Sequence, residues 1–288
     1  MITRIQKNKS IPNYFNITYH VTEACNYHCP YCFDLKKPKK DTSPFLIENI
    51  SKKINSIIKE VKNKNIDFHL IGGEVTIFDI KNLILKNIDL NNLYRFSLVT
   101  NLSRDAKYYE ELLQDINIRT RIKASFHPTE TSKDEFLQKI IKLQKYNIIV
   151  SLLITKQHYY DVEKFYNELK KLNIPVSVSV ERINGIPINT DSNIIDKDMC
   201  KFTVTYNNNE QKVLTKYALL NELKTLKGYK CDANNSRLII DPQGYIKNGC
   251  PKQNKKENIF QYHYSPKEDI TCNSNKLCTL YSINEVYK

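Results

Sequence analysis

The protein has 288 residues, of which 41% are apolar and 26% charged. This composition is typical of a soluble globular protein and excludes a wholly disordered or membrane-embedded chain. No stretch approaches the roughly 20 apolar residues that span a bilayer. The basic start MITRIQKNKS has no apolar run behind it, so we expect no signal peptide and a cytoplasmic location.

The net charge of +13 allows two interpretations. A cationic protein attracts anionic partners such as nucleic acid or a phosphorylated metabolite. The positive residues are mostly lysines, however, in a sequence also crowded with Asn and Ile, which is the bias of an AT-rich genome. The lysines between Lys36 and Lys40 are typical of a solvated loop. We favour this second interpretation, and nucleic acid is not an expected partner.

Six apolar runs rich in β-branched residues predict strands, and the first five are each followed by a segment with helical character. The predicted strands are Asn16–Val21, Asp67–Ile71, Arg95–Thr100, Ile122–Phe126, Ile148–Ile154 and Val176–Val180. The predicted helices are Pro44–Lys62, Asp79–Asn87, Asp105–Gln114, Lys133–Tyr146 and Val162–Leu172. The alternation predicts an α/β fold with a parallel sheet and helices outside it. Six strands are too few for a full (β/α)8 barrel and predict a partial, TIM-like (β/α)6 barrel.

The alternation stops after Val180, and Ile183–Ser192 is rich in Asn, Pro and Gly, as in a linker. Two hairpins and one helix are predicted beyond it: Phe202–Tyr206 with Gln211–Leu214, a helix near Tyr217–Thr225, and Arg237–Ile240 with Tyr245–Lys247. We therefore expect two domains, a core of residues 1–182 and a small α+β extension of residues 183–288.

Eight cysteines lie at positions 25, 29, 32, 200, 231, 250, 272 and 278, and in a cytoplasmic protein such clusters are more often metal ligands than disulfides. Cys25, Cys29 and Cys32 have the spacing C-x3-C-x2-C directly after the first predicted strand. Three thiolates on one loop can bind three corners of a [4Fe–4S] cube and leave one iron without a protein ligand. The alternatives are unrelated thiols or a zinc site with His28 as the fourth ligand, although His28 lies between the cysteines, where convergence on one ion is awkward.

With Tyr31 as the aromatic residue before the last cysteine, the motif resembles the C-x3-C-x-aromatic-C signature of the radical S-adenosylmethionine (SAM) superfamily. The resemblance implies a [4Fe–4S] cluster whose open iron is chelated by SAM, and reductive cleavage of SAM to a 5′-deoxyadenosyl radical. Gly72-Gly73-Glu74 ends the second predicted strand and resembles the family motif that binds the amino group of SAM's methionine. The glycines would allow close approach of the backbone to a ligand, or form an ordinary turn.

Polar residues also follow the later strands, at the end where barrel enzymes collect their sites. They are Thr100, Asn101, Ser125, His127, Thr155, Glu181 and Arg182. The resemblance implies that Thr100 and Ser125 contact the ribose or carboxylate of SAM, and that His127 and Arg182 contact SAM or substrate. Asn101 is expected to bind cofactor with them. The alternative is that each only caps its strand or forms a salt bridge.

Four of the later cysteines could form a second site. Cys231 and Cys250 flank the second hairpin, and Cys272 and Cys278 follow. This arrangement resembles the SPASM/twitch extension of radical SAM enzymes, and its shorter form implies one auxiliary [4Fe–4S] cluster, although the spacing G-x5-C departs from the usual G-x4-C. Zinc or unbound thiols are the alternatives. Cys200 is expected to be a buried thiol, with ligation of the auxiliary cluster or hydrogen-atom donation to a substrate radical as alternatives.

The resemblance implies the cofactors and the initiating chemistry but not the substrate. We expect a small polar metabolite such as a sugar or nucleotide, or a peptide. Cys25 lies too near the start to leave room for a leader-recognition domain, which favours a small metabolite or a peptide delivered by a separate protein. A maturase of a ribosomally made peptide or of a sulfatase is the alternative. A flavodoxin- or ferredoxin-like protein is the expected reductant. Two other classes stay open: a zinc-bearing nucleic-acid-binding protein and a non-catalytic Fe–S scaffold.

Overall fold

A computed structural model of the protein describes residues 1–7, 11–32, 42–61, 63–183, 186–188, 194, 201–215, 218–219, 222–223, 225–248, 256–273 and 285–288. Their strands are β1 Ile2–Lys7, β2 Tyr14–His20, β3 Asn65–Ile71, β4 Arg95–Thr100, β5 Arg119–Ser125, β6 Ile148–Ile154, β7 Val176–Val180, β8 Arg182–Ile183, β9 Ile186–Pro187, β10 Lys201–Tyr206, β11 Gln211–Thr215, β12 Lys230–Cys231, β13 Arg237–Ile240, β14 Tyr245–Asn248, β15 Lys256–Asn258, β16 Ile270–Thr271 and β17 Glu285–Tyr287. Their α-helices are α1 Pro44–Glu60, α2 Ile80–Leu83, α3 Ala106–Leu113, α4 Lys133–Leu143, α5 Tyr159–Lys171 and α6 Ala233–Ser236.

The core sheet follows the predicted βα alternation. Strands β2 to β7 are parallel neighbours in chain order. The helical segments between them agree with the predicted ones, with 3₁₀ turns at Leu85–Asn87 and Gln144–Tyr146 completing the second and fourth. The prediction of an α/β fold with six parallel strands is confirmed. No helix within the described ranges is long and apolar enough to cross a membrane.

Local sequence signals explain where the helices begin. Ser43 caps α1 by accepting a hydrogen bond from the Leu46 amide, and Pro44 occupies the first turn, where no amide hydrogen is needed. Along α1 the isoleucines recur at helical spacing and are buried against the sheet. Asp105 and Ser132 cap α3 and α4 in the same way. These helices cover the outer face of the sheet and leave its inner face to the site.

Two sets of strand pairings join segments from opposite ends of the chain. The N-terminal strand β1 pairs antiparallel with β10 and β17, in the described sheet β11-β10-β1-β17-β12-β16. The hairpin β13–β14 instead extends the core sheet, because β13 runs parallel to β2. The hydroxyl of Tyr229 adds a 2.5 Å bond to the carbonyl of Ile2. Neither β1 nor the pairing of β13 with β2 was predicted from the sequence. The boundary between the two expected domains, at residues 182/183, stays a prediction.

Both hairpins were predicted within one or two residues, and each strand pair is antiparallel. Gly244 has φ +78° in the second turn, a conformation that glycine adopts without strain. The predicted helix near Tyr217–Thr225 lies partly outside the described residues. Within the described part, the Leu223 amide donates to the Leu219 carbonyl, which is the helical spacing.

Candidate active site

The three-cysteine loop crosses the carboxyl end of the parallel sheet. It leaves β2 at His20, and the amide of Val21 still donates to the carbonyl of Ile71 at the end of β3. Cys29 is buried, Cys25 is half-buried and Cys32 is exposed. The sequence motif therefore lies where parallel barrels position their reactive groups.

The Gly-Gly pair lets the end of β3 approach this loop closely. The amide of Gly73 donates to the carbonyl of Thr22, and that of Glu74 donates to the carbonyl of Ala24, each at 2.8 Å. A Cβ on Gly72 would lie 2.7 Å from the Thr22 carbonyl oxygen, and one on Gly73 would lie 2.1 Å from that of Ala24. The two glycines therefore pack against the backbone of the cysteine loop. Their close approach to a ligand stays a prediction.

Glu74 joins the ends of β3 and β4 through a fully buried carboxylate. Its Oε1 accepts from the Thr76 amide at 3.0 Å, from the Thr76 hydroxyl at 2.6 Å and from the Thr100 hydroxyl at 2.9 Å. Its Oε2 accepts from the amide of Asn101 at 2.6 Å. Four donors satisfy a buried charge of this kind. The predicted contact between Glu74 and the SAM ammonium remains a prediction.

The strand end at Thr100 and Asn101 connects Glu74 to the cysteines. The Thr100 hydroxyl also bonds the Tyr109 hydroxyl at 2.9 Å, on the helix-covered side of the sheet. The Asn101 side-chain amide donates to Asn26 Oδ1 at 3.0 Å and lies 3.9 Å from Cys25 Sγ. Of these two predicted cofactor residues, Asn101 is the one that contacts the loop directly.

The loop after β5 contacts the other half of the cysteine loop. The ring of His127 stacks on that of Tyr31, with centroids 6.0 Å apart, and meets that of Tyr27 edge-on at the same separation. Its Nδ1 lies 3.4 Å from the Tyr31 hydroxyl. Burial lowers the pKa of His127 below its usual value, which favours the neutral ring. Glu130 accepts a 3.2 Å bond from the amide of His28.

The remaining predicted strand-end residues lie in different surroundings. Ser125 is partly exposed at the end of β5. Thr155 is buried and accepts from the amide of His158 at 3.2 Å. The amide of Glu181 continues the β6–β7 ladder by donating to Ile154. Arg182 pairs with Pro187 through the backbone, and its side chain lies outside the described part of the chain.

Two of the downstream cysteines lie next to each other. Cys231 is opposite Ile270 in the β12–β16 ladder, and the amide of Cys272 donates to the carbonyl of Tyr229 at 2.8 Å. The two cysteines are therefore diagonal neighbours on one face, a relationship that places Cα atoms about 7–8 Å apart. Cys200, Cys250 and Cys278 lie outside the described residues.

The donor set of the cysteine loop fits an iron–sulfur cluster. In a cube each thiolate binds a different iron, so the sulfurs need not converge on one point. Within the described ranges, no three His, Cys, Asp or Glu side chains converge so as to hold a single ion. Burial raises the pKa of the Cys29 thiol to about 11, so a bound cation is needed to keep it ionised near neutral pH.

The residues that support the cysteine loop from outside the motif were not predicted from the sequence. Glu130 and Thr129 follow His127 in the run His-Pro-Thr-Glu, and Thr22 precedes the motif. The Thr22 hydroxyl accepts from the Ala24 amide at 2.9 Å, and that of Thr129 lies 3.5 Å from the Tyr31 hydroxyl. The available signal was a cluster of polar residues after a strand, which marks a loop without identifying its contacts.

Solved structures show the same fold. The chain aligns with a histidine-tagged form of anSMEcpe with bound AdoMet at a TM-score of 0.57 and 16% identity, over 86% of this chain and 78% of that one. It aligns with native anSMEcpe with bound AdoMet and Cp18Cys peptide at 0.54 and 15%, over 87% and 79%. SuiB of Streptococcus suis bound to S-adenosylmethionine matches at 0.40 and 14%, over 87% and 64%, too low a score for an inference about the fold. No curated protein matches the sequence significantly.

The partial TIM-like barrel is thus shared with AdoMet-binding proteins. The family model described as "Radical SAM superfamily" matches residues 19–197, more than half of the chain, and includes the last two residues of β2, the cysteine loop and all of β3–β7. The chain therefore belongs to the radical SAM superfamily, whose members are enzymes, and its fold implies a [4Fe–4S] cluster and SAM as cofactors.

Proposed function

We propose that this protein cleaves SAM reductively beside the cysteine loop and uses the 5′-deoxyadenosyl radical to abstract hydrogen from a substrate held in the barrel. The observation that carries the proposal is the position of Cys25, Cys29 and Cys32 across the carboxyl end of the sheet, with Glu74, Asn101 and His127 contacting the same loop or bonding its neighbours. When bound, the cluster supplies the electron that breaks the S–C5′ bond of SAM.

The residues of the chain bind and orient. The three thiolates would hold three irons of the cluster, and the fourth iron would be open to the amino and carboxylate groups of SAM. Glu74 holds the ends of β3 and β4 together, and through Asn101 it fixes the loop around Cys25. We propose that Asn101, Ser125 and His127 contact SAM, and that Arg182 contacts SAM or substrate. The carboxylate of Glu74 already has four donors, so a direct bond to the SAM ammonium would require one of them to move.

We also propose an auxiliary [4Fe–4S] cluster bound by Cys231, Cys250, Cys272 and Cys278. The neighbouring positions of Cys231 and Cys272 on one face of the sheet support it, because the ligands of one cluster must lie close together. The cluster would relay an electron from the substrate radical or hold the substrate.

The substrate we propose is a small polar metabolite or a peptide. A peptide is named with the related anSMEcpe structure, and that observation favours the second possibility, a maturase of a ribosomally made peptide or of a protein such as a sulfatase. The electron donor would be a flavodoxin- or ferredoxin-like protein.

Anaerobic reconstitution with iron and sulfide, followed by dithionite and SAM, tests the proposal. We expect 5′-deoxyadenosine and about eight irons per chain, four for each cluster. Combined replacement of Cys25, Cys29 and Cys32 by Ala should abolish SAM cleavage and leave about half of the iron. The matched variant Cys231→Ala with Cys272→Ala should lose the other half and keep uncoupled SAM cleavage.

The other outcomes are equally informative. Cleavage that survives without the three loop cysteines would refute the assignment of the site. Deoxyadenosine with about four irons would keep the enzyme and remove the auxiliary cluster. A brown protein that produces no deoxyadenosine would favour a scaffold, and a colourless protein loaded with zinc would favour the nucleic-acid-binding alternative.

A further inference from the structure

The inner face of the barrel is polar and partly open. Along β5, which lies between β4 and β6 in the sheet, Ile122 and Ala124 are buried under the helices, whereas Arg121 and Lys123 on the other face are partly exposed. Central strands of a parallel sheet are normally buried on both faces. A solvent-accessible inner face in mid-sheet therefore marks a hollow, and its polar side chains favour a polar occupant.

The strand register identifies which side chains share this inner face. Asp67 is level with Asn16 and Arg95, and His69 is level with Ser97, which in turn is level with Arg121. Lys123 lies two residues after Arg121 on β5, closer to the carboxyl end of the sheet where the cysteine loop lies. On β13 and β2–β7 the charged side chains of this face are the cations Arg95, Arg119, Arg121, Lys123 and Arg237 against Asp67, with Glu181 directly after β7. The inner face therefore carries a surplus of positive charge.

The only carboxylate on these strands, within the part the structure describes, is already used. Asp67 Oδ2 accepts from Arg95 at 2.5 Å and from the Tyr14 hydroxyl at 3.0 Å, and Oδ1 accepts from the Ser97 hydroxyl at 2.8 Å. Arg121 lies close enough for the same carboxylate and Arg95 to act on it electrostatically. The Asp67 carboxylate thus lies near two guanidinium groups, and of these only the Arg95 group donates a hydrogen bond to it.

Two donors of this cluster have no acceptor. The Nε–H groups of Arg95 and Arg121 are buried and make no hydrogen bond to any residue that the structure describes. Burial of a charged donor without a partner is costly, and proteins retain it mainly where a ligand or water supplies the acceptor. Burial is the main cause that lowers the pKa of His69 to about 4; Asp67 opposes this shift, and Lys123, Arg121 and Arg95 add to it.

The cations lie within reach of the proposed reaction site. Lys123 and Arg121 are two and four residues before Ser125, at the carboxyl end of β5. With about 3.3 Å per strand residue, they lie roughly 7 Å and 13 Å below that end. A small substrate in the hollow could touch them while presenting a carbon–hydrogen bond to the mouth of the barrel.

We infer that the hollow binds an oxyanion of the substrate, a phosphate or a carboxylate, between Arg121 and Lys123 on β5. This inference rests on the proposed function, because it names the substrate class of the same site. Arg121 can donate two parallel hydrogen bonds to such a group, and Lys123 adds a point charge. Glu181, two strands away, is placed to select against anions that extend toward β7.

Calorimetric titration of the reconstituted holoenzyme with inorganic phosphate, and separately with malonate, tests the inference at constant ionic strength. We expect saturable binding that weakens about tenfold or more in Arg121→Gln and in Lys123→Gln, since a charge-assisted hydrogen bond is lost. Arg119→Gln is the matched control, on the same strand and face but exposed, and should bind as the wild type does. Preference for phosphate or for malonate would identify the anionic group.

Equal affinity in the wild type, Arg119→Gln, Arg121→Gln and Lys123→Gln, or no binding by the wild type, would overturn the inference. If Arg121→Gln does not fold, Lys123→Gln decides. SAM cleavage is measured on the same samples, as the yield of 5′-deoxyadenosine. Wild type that cleaves SAM without binding either anion refutes only the inference, and wild type that binds the anion without cleaving SAM refutes only the proposed function.

Discussion

The amide of Glu74 donates a 2.8 Å hydrogen bond to the carbonyl of Ala24, the residue that precedes Cys25. One residue earlier on the β3 side, the amide of Gly73 bonds the carbonyl of Thr22 in the same way. The end of β3 and the start of the cysteine loop are thus held by two main-chain bonds. The position of Cys25 therefore depends on a backbone contact that is too close to accommodate a side chain at Gly73.

Gly73→Ala should disrupt this contact, because its Cβ would lie 2.1 Å from the Ala24 carbonyl oxygen. We expect a loss of about 1–3 kcal/mol in unfolding free energy, as for overpacking elsewhere, together with reduced SAM cleavage. Gly228→Ala is the control: it has φ +84° and no described atom within 4 Å of a Cβ, so it should cost only the roughly 1–2 kcal/mol of a left-handed residue and leave SAM cleavage unchanged. Denaturation and the yield of 5′-deoxyadenosine measure both variants; an equal loss of SAM cleavage would contradict the prediction.

Glu74→Gln should separate support of the site from direct binding of SAM. Glutamine replaces one acceptor oxygen of the buried carboxylate with a donor, so at least one of the donors on Thr76, Thr100 and Asn101 loses its partner. We expect a loss of about 2–3 kcal/mol in stability with and without SAM. Thr100→Ser keeps the hydroxyl and should change little. An unchanged stability with weaker SAM binding would show instead that Glu74 acts at the ligand.

Glu130→Ala should loosen the second half of the cysteine loop, since the amide of His28 loses its acceptor. The bond is exposed, so we expect no more than about 1 kcal/mol in unfolding free energy. The larger effect should be faster loss of the cluster in the presence of a chelator, followed by absorbance. Glu130→Gln retains an acceptor oxygen and should restore the wild-type rate; failure of this rescue would argue for a role of the charge.

His69 predicts a pH dependence of stability. Its pKa is about 4 in the folded protein, against an ordinary value of 6.5, because of burial and the cations around it. Between these values the unfolded chain binds the proton and the folded one does not, so stability falls as pH decreases from 6.5 to 4, by at most about 3 kcal/mol. Below that range Asp67, whose pKa Arg95 lowers, should add a further loss.

His69→Asn should flatten the slope between pH 6.5 and 4, as measured by denaturation at several pH values. Other histidines titrate in both variants, so the difference between the two curves reports His69. Parallel curves of wild type and variant would show that the pKa of His69 is not lowered in the folded protein. Phosphate in the buffer should reduce the slope if it binds near Arg121 and Lys123.

Much of the core fold followed from local pattern. Runs such as Ile148–Ile154 alternate with amphipathic segments, and helix caps such as Ser43 and Ser132 stand where helices begin, so β2–β7 and most of the helices between them could be predicted. The short strands could not. Two or three residues, as in Lys230–Cys231, carry no periodicity, and β1 becomes a strand by pairing with β10, some 200 residues away in the chain.

The candidate site divides in the same way. The sequence by itself determined the family and the three cysteines, because their chemistry depends on residue type and spacing over eight positions. Only the tertiary structure decided that Glu74 bonds Thr100 and Asn101, that His127 stacks on Tyr31, and that Arg121 faces the inside of the barrel. These contacts arise where separate strands end side by side, and their register is fixed by packing across the sheet rather than by any local pattern.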